Sequence, residues 1–170
     1  MSKNRIHEII RVNQAGELGA IQIYKGQLAV LKRKEIAKEL VEMLEKEKKH
    51  YEKFNNLIRE YKVRPTALSP LWKRGAFLLG VVTAVLGKKS TMACTEAVEE
   101  VIIDHYENQS KYLKDKDKRL SKITKKFCKE EKEHLEIANT YDTGSDPIHN
   151  ALKRGIKLIS KLAIKASEKI

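Results

Sequence analysis

Four stretches of this chain carry apolar residues at helical spacing, and in each a glutamate stands where the next buried side chain belongs. Residues 3–32 give the stripe Ile6, Ile10, Asn13, Glu17, Ile21, Tyr24, Leu28 and Leu31. Residues 34–62 give Ile36, Leu40, Leu44, Glu47, Tyr51, Phe54, Ile58 and Tyr61, with His50 beside Tyr51. Residues 90–114 give Met92, Thr95, Glu99, Ile102, Tyr106, Gln109 and Leu113. Residues 119–141 give Leu120, Ile123, Phe127, Glu131, His134 with Leu135, Ala138 and Tyr141. Four helices that each turn a carboxylate inward need something cationic among them, because an unpaired buried ion is too costly to keep.

The spacing narrows what that cation is. Positions i and i+3 lie about one turn apart on one side of a helix, so Glu47 with His50, and Glu131 with His134, can each offer an oxygen and a nitrogen to one metal ion. Glu17 precedes Glu47 by 30 residues and Glu99 precedes Glu131 by 32. One Glu-x-x-His in a Lys/Glu-rich chain is an ordinary surface pair, but a repeated one with a matched upstream glutamate is not. Two divalent metals would neutralise four carboxylates. Mixed carboxylate and imidazole donors suit iron or manganese, whereas zinc favours Cys/His sets and calcium all-oxygen shells. One Glu from each of two helices plus Glu-x-x-His from two others is the ligand plan of dimetal four-helix bundles. The predicted fold is all-α, a ferritin-like four-helix bundle forming one domain over residues 1–170.

Two further segments flank this plan. Residues 71–87 contain an uncharged, mainly apolar run from Gly75 to Gly87, bounded by Trp72, Lys73 and Arg74 on one side and Lys88 and Lys89 on the other. The run falls short of the roughly 20 residues a spanning helix needs, so a re-entrant or interfacial membrane-facing segment is expected. Residues 148–170 place Ile148, Leu152, Ile156, Ile159, Leu162 with Ala163, Ala166 and Ile170 on one face of an extra C-terminal amphipathic helix of net charge +5. Such a helix can close the bundle or lie on anionic lipid, and for the net charge of +12 on the whole chain the candidate partners are anionic membrane lipid, nucleic acid, or none beyond solubility.

Smaller signals fill in the plan. Pro65 and Pro70 mark a loop over 63–70, Lys114 to Lys118 form a charged turn, Asp142 to Pro147 break the chain, and Ser90 is a candidate helix cap. Gly16 and Gly19 flank Glu17, where a neighbouring helix or a substrate could come close. Tyr24 and Tyr106 each follow a lone glutamate by seven residues, as Asn13 and Thr95 each precede one by four, which suggests a duplicated helical hairpin. Tyr24, Tyr106 and His105 are candidates for orienting the ligands or handling protons, with plain core packing the competing reading for the tyrosines. His7 and His149 read as surface residues. Cys94 and Cys128 give no disulfide framework and read as small buried side chains in a reducing compartment. The N-terminal residues carry neither a secretory signal nor an Arg/Ser-rich presequence.

The residues Arg11-Val-Asn-Gln-Ala-Gly-Glu17-Leu-Gly-Ala20, Ile23-Tyr24-Lys-Gly-Gln27, Glu47-Lys-Lys-His50-Tyr-Glu-Lys-Phe54, Cys94-Thr-Glu-Ala-Val-Glu99, Asp104-His105-Tyr106 and Glu130-Glu131-Lys-Glu-His134 carry a resemblance. Across nearly its whole length the chain resembles the demethoxyubiquinone hydroxylases of ubiquinone biosynthesis, membrane-associated members of the ferritin-like di-iron superfamily. That resemblance implies two Fe ions per chain held by Glu17, Glu47, His50, Glu99, Glu131 and His134, with Glu47 and Glu131 bridging. It implies O2 as co-substrate, NADH as electron source, and hydroxylation of the ring of a prenylated 6-methoxy-3-methyl-1,4-benzoquinol. It further implies a membrane lipid surface, a homo-oligomer and a lipid-binding protein of the same pathway as partners, and no nucleic acid. The expected location is the cytoplasmic face of a bacterial inner membrane, or the matrix side of the mitochondrial inner membrane. The family usually has Asp-His where this chain has Asn13-Gln14, a departure that touches no ligand. No Gly-rich dinucleotide fingerprint is present, so no dedicated nicotinamide domain is expected. A di-iron tRNA hydroxylase, an iron-storage ferroxidase and a metal-free membrane-binding bundle are the competing readings. A rubrerythrin-like protein is disfavoured, because two cysteines cannot build its four-Cys iron centre.

Overall fold

A computed structural model describes residues 2–141, 143–144 and 146–169. Asp142, Ser145 and Ile170, which the sequence assigned to a chain break and to the last apolar face, lie outside the described residues. The fold is all-α, as expected, and no strand occurs among the described residues. The helices are α1 (Ser2–Leu31), α2 (Ala37–Glu60), α3 (Ser69–Val85), α4 (Lys88–Leu113), α5 (Lys118–Asn139) and α6 (Pro147–Lys169). They form two compact units, one of Met1–Thr91 with Leu162–Ile170, the other of Met92–Lys161.

In the first unit α1 packs against both α2 and α3. Between Arg11 and Lys25 its only charge is Glu17, and that stretch is buried on most of its surface. Helix α2 is amphipathic instead. It buries Leu40, Met43, Leu44, Glu47, His50, Phe54, Leu57 and Ile58 and turns Lys48, Lys49 and Glu52 outward. Lys62, at φ 52°, ends it in the left-handed region, and the Val63 N–H donates back to the Ile58 carbonyl at 2.9 Å. The predicted 63–70 loop is shorter than expected. Helix α3 begins at Ser69 because Pro70 falls in its first turn, where a missing N–H breaks no helical bond.

Helices α1 and α3 meet backbone to backbone. A Cβ on Gly26 would collide with the Phe77 carbonyl oxygen and stand 2.9 Å from the Val81 nitrogen, and one on Gly80 would collide with the Ile23 carbonyl oxygen. Only glycine at both positions lets these backbones touch. Gly16 and Gly19, which the sequence singled out for such contact, have nothing within 4 Å of an added Cβ. Gly87, at φ +105°, makes the turn into α4, which starts at Lys88. Ser90, expected as its cap, lies inside the helix and donates to the Leu86 carbonyl at 3.5 Å. The C-terminal end of α6 completes this unit. Trp72 Nε1 donates to Ser167 Oγ at 2.9 Å, and Arg5 reaches the Glu168 carboxylate at 3.0 Å.

In the second unit α4 is buried all round from Met92 to Glu99. Asp117 caps α5, its side chain accepting from the Leu120 N–H at 2.9 Å. Helix α5 buries Leu120, Thr124, Phe127, Cys128, Glu131, His134 and Ala138 on one side. Lys153 Nζ donates to Glu96 Oε1 at 2.8 Å, Thr143 donates to the other oxygen of that carboxylate, and Lys157 pairs with Glu100. This i,i+4 ladder holds the basic flank of α6 against α4. Ile156 is consequently buried while Ile148, Leu158, Ile159 and Leu162 are exposed, so the single apolar face expected for α6 is split. His149, read as a surface residue, is half-buried and sits 3.2 Å from Asp146. Among the described residues no helix is long and apolar enough to cross a membrane. Seventeen residues give α3 a length of about 25 Å.

The glycine contact sets a stability test. Gly80→Val should lower the unfolding free energy by about 1–3 kcal/mol by overpacking. Gly75→Ala, in open space on the same helix, should raise it by up to about 1 kcal/mol through helix propensity. Thermal and urea melts of the two variants check this, and a Gly80→Val protein as stable as wild type would contradict the contact.

Candidate metal centre

Each unit carries a triad of two glutamates and one histidine. In the first, α1 supplies Glu17 and α2 supplies Glu47 and His50. His50 Nδ1 stands 3.6 Å from Glu17 Oε2 and 3.8 Å from Glu47 Oε2. In the second, α4 supplies Glu99 and α5 supplies Glu131 and His134, with His134 Nδ1 3.7 Å from Glu99 Oε1 and 3.0 Å from Glu131 Oε2. Within each triad the ligand atoms lie no more than 4.8 Å apart. All six residues are at most 2 % exposed. The local reason is the i, i+3 geometry of each Glu-x-x-His, which stacks oxygen over nitrogen on the buried side of an amphipathic helix.

The donor chemistry fits iron or manganese. Each triad offers two carboxylates and an imidazole, and one divalent ion would cancel the two negative charges locally. In both triads Nδ1 is the ring nitrogen turned to the carboxylates, so it is the lone pair available to a metal, and Nε2 then carries the proton. Cys128 is no ligand. Its Sγ faces the Ile103 carbonyl at 3.9 Å, and burial above all pushes its thiol up, keeping it protonated at neutral pH. Cys94 is fully buried as a small apolar side chain.

The other sequence candidates fall around the triads in different ways. Tyr24 is buried in α1, and Tyr106 is buried in α4 with its ring edge-on to Phe127, the centroids 6.5 Å apart. His105 is half-buried and makes a 2.6 Å hydrogen bond with the Gln109 amide one turn along α4. One contributor passed unnoticed as a contact. Gln14 Nε2 donates to Asn55 Oδ1 at 2.9 Å and approaches the Tyr51 hydroxyl at 3.4 Å, tying α1 to α2 one turn from Glu17 and beside His50. An amide within the apolar run of α1, three residues before a ligand, was the signal available for it.

Helix order, a lone glutamate followed by Glu-x-x-His, and its repetition now stand in three dimensions, and they can be set beside known proteins. A family described as "Ubiquinone biosynthesis protein COQ7" matches residues 4–167. This chain belongs to that family. A human relative named "NADPH-dependent 3-demethoxyubiquinone 3-hydroxylase, mitochondrial" is 43% identical over 174 residues, covering 100% of this chain and 80% of that protein. A Rhodospirillum rubrum relative named "3-demethoxyubiquinol 3-hydroxylase" is 42% identical over 166 residues, covering 97% of this chain and 78% of that protein. A Saccharomyces cerevisiae relative named "5-demethoxyubiquinone hydroxylase, mitochondrial" is 37% identical over 182 residues, covering 97% and 78% respectively.

Metal removal separates a binding site from a merely buried acid cluster. Adding iron(II) under anaerobic conditions to the chelator-treated COQ7-family protein should raise its unfolding free energy by about 2.7 kcal/mol per site at about 100 times Kd, read as a higher melting temperature. Glu47→Gln and Glu131→Gln should lose most of that gain. Without metal they should melt no lower than wild type, because each removes a buried negative charge. Variants that melt lower without metal and gain as much from iron would contradict the assignment.

Proposed function

We propose that this chain is a di-iron, O2-dependent monooxygenase that hydroxylates the ring of demethoxyubiquinol in ubiquinone biosynthesis. The observation that carries the reading is the pair of buried Glu and Glu-x-x-His triads in a chain of the COQ7 family. The printed names of the human, bacterial and yeast relatives, all demethoxyubiquinone or demethoxyubiquinol hydroxylases, support the reaction. In this proposal residues 1–170 act as a single ferritin-like domain. Glu17, Glu47, His50, Glu99, Glu131 and His134 would hold the iron.

Bound iron would supply the activation of O2, with one oxygen atom going to a ring carbon and the other leaving as water at a cost of two electrons. The chain supplies the setting. Four carboxylates and two Nδ1 atoms would hold the iron, and their burial keeps bulk water from the site. In this proposal Tyr24 and Tyr106 orient groups around the site and His105, which is half-buried and hydrogen-bonded to Gln109, passes protons to or from solvent. A reduced nicotinamide nucleotide is the electron source. Relatives' names specify NADPH where the resemblance suggested NADH.

The substrate's prenyl tail explains α3. Leu71, Leu78, Val82, Val85 and Leu86 form an exposed apolar stripe, and Trp72, Lys73, Arg74, Lys88 and Lys89 flank it. A helix about 25 Å long with that pattern suits a seat at headgroup depth. Exposed Leu158, Ile159 and Leu162 beside the lysines of α6 offer a second such face. The protein would sit peripherally on the cytoplasmic face of a bacterial inner membrane or its mitochondrial matrix counterpart. A homo-oligomer and a lipid-binding pathway protein belong to the same proposal.

Glu131→Ala should bind less iron and show no turnover; an active, iron-free variant would overturn the reading. Leu78→Glu with Val82→Glu should lose flotation with anionic vesicles and turnover of long-tailed quinol, while a short-tailed, water-soluble quinol is still hydroxylated. Equal loss with both substrates would remove the role given to α3.

A further inference from the structure

A cavity of about 290 Å³ opens on the outer side of the second unit, between α4 and α5, lined by Glu107, Ser110, Lys125, Cys128, Lys129 and Lys132. The three lysines follow one another at helical spacing along α5, so their ammonium groups share one side of the helix. Lys132 is already engaged, 2.7 Å from Glu107. Lys125 and Lys129 have no carboxylate within ion-pair distance among the described residues. The neighbouring Lys126, one residue from the first of them, does pair, with Glu130 at 3.7 Å. Lys125 and Lys129 thus line the same recess without a counter-charge, which a bound anion would supply.

We propose that this recess is a binding site for a phosphate monoester. Three lysines and one glutamate leave an excess of two positive charges, which a phosphate monoester near neutral pH, at roughly −1.5 to −2, would balance. Lysine recognises phosphate as a point charge without the planar fork that carboxylate recognition exploits, and no arginine lines the recess. The volume is at the lower limit of small-molecule pockets. It admits a phosphate and the group next to it, and leaves the remainder of a larger ester outside. The site lies on the solvent side of α4 and α5 and makes no use of the metal triads, so it stands or falls independently of the reaction proposed above.

Calorimetric titration of the full chain at low ionic strength with inorganic phosphate, and separately with adenosine 2′-monophosphate, tests the site. Binding of either probe should saturate at one per chain. Lys125→Gln with Lys129→Gln should weaken it about tenfold or more, the scale of a lost charge-assisted hydrogen bond. Lys161→Gln with Lys165→Gln removes the same charge from exposed positions on α6 and should leave binding within about twofold of wild type. Adenosine 2′-monophosphate binding tighter than inorganic phosphate identifies an ester-borne group as the ligand, and equal affinity identifies free phosphate. Absence of saturable binding in the wild type, equal weakening in both double variants, or competition by polyglutamate as effective as by phosphate would overturn the site. Far-ultraviolet circular dichroism of each variant shows that the helices are retained.

Discussion

Buried carboxylate is the constraint on which this fold turns. Glutamate is among the residues least tolerated in an interior, yet α1, α2, α4 and α5 each present one, and every one of the four is almost inaccessible to water. Each triad's histidine can answer only part of that charge. A divalent ion per triad answers all of it, and two carboxylates with one imidazole are donors that iron and manganese accept. The rest of the helical design follows from delivering these groups. Helix α1, whose only charge between Arg11 and Lys25 is Glu17, is buried on most of its surface there, and α4 is buried all round from Met92 to Glu99, with Glu96 and Glu100 answered by Lys153 and Lys157. Helices α2 and α5, rich in Lys and Glu, bury only one side and keep the remainder in water.

Two other interactions set where the helices lie. The Gly26–Gly80 contact brings α3 backbone to backbone with α1 about 14 Å along the helix from Glu17, by a rise of 1.5 Å per residue. The helix with the most exposed apolar surface is therefore braced directly on one that carries a candidate ligand. In the second unit the Lys153–Glu96 and Lys157–Glu100 pairs bracket Glu99 in sequence and fix α6 against α4. Partly buried pairs of this kind add little net stability, but leaving either partner alone would be costly, so they define which side of α6 faces inward.

The helical class and the six inward residues could be read from periodicity, because a stripe at helical spacing reports burial whatever residue occupies it. The glutamates stood out by occupying positions that the apolar neighbours of Glu17 and Glu131 had already marked as interior. What the sequence concealed was backbone proximity and helix rotation. Gly16 and Gly19 drew attention because they flank a ligand, whereas Gly26 and Gly80, far apart in the chain, are the pair that meet. A hydrophobic stripe cannot reveal that lysines will turn a helix, and so Ile156 and Ile159, three residues apart on α6, go to different environments. Helix starts were likewise displaced by local chemistry, by Pro70 entering the first turn of α3 and by Gly87 taking the turn before Ser90 could cap α4.

Anomalous X-ray scattering at the iron edge, from crystals grown with iron(II) under anaerobic conditions, tests the central claim most directly. Two peaks per chain are predicted, one against Nδ1 of His50 with Glu17 and Glu47, the other against Nδ1 of His134 with Glu99 and Glu131. Iron found elsewhere on the chain, or at neither triad, would contradict the account.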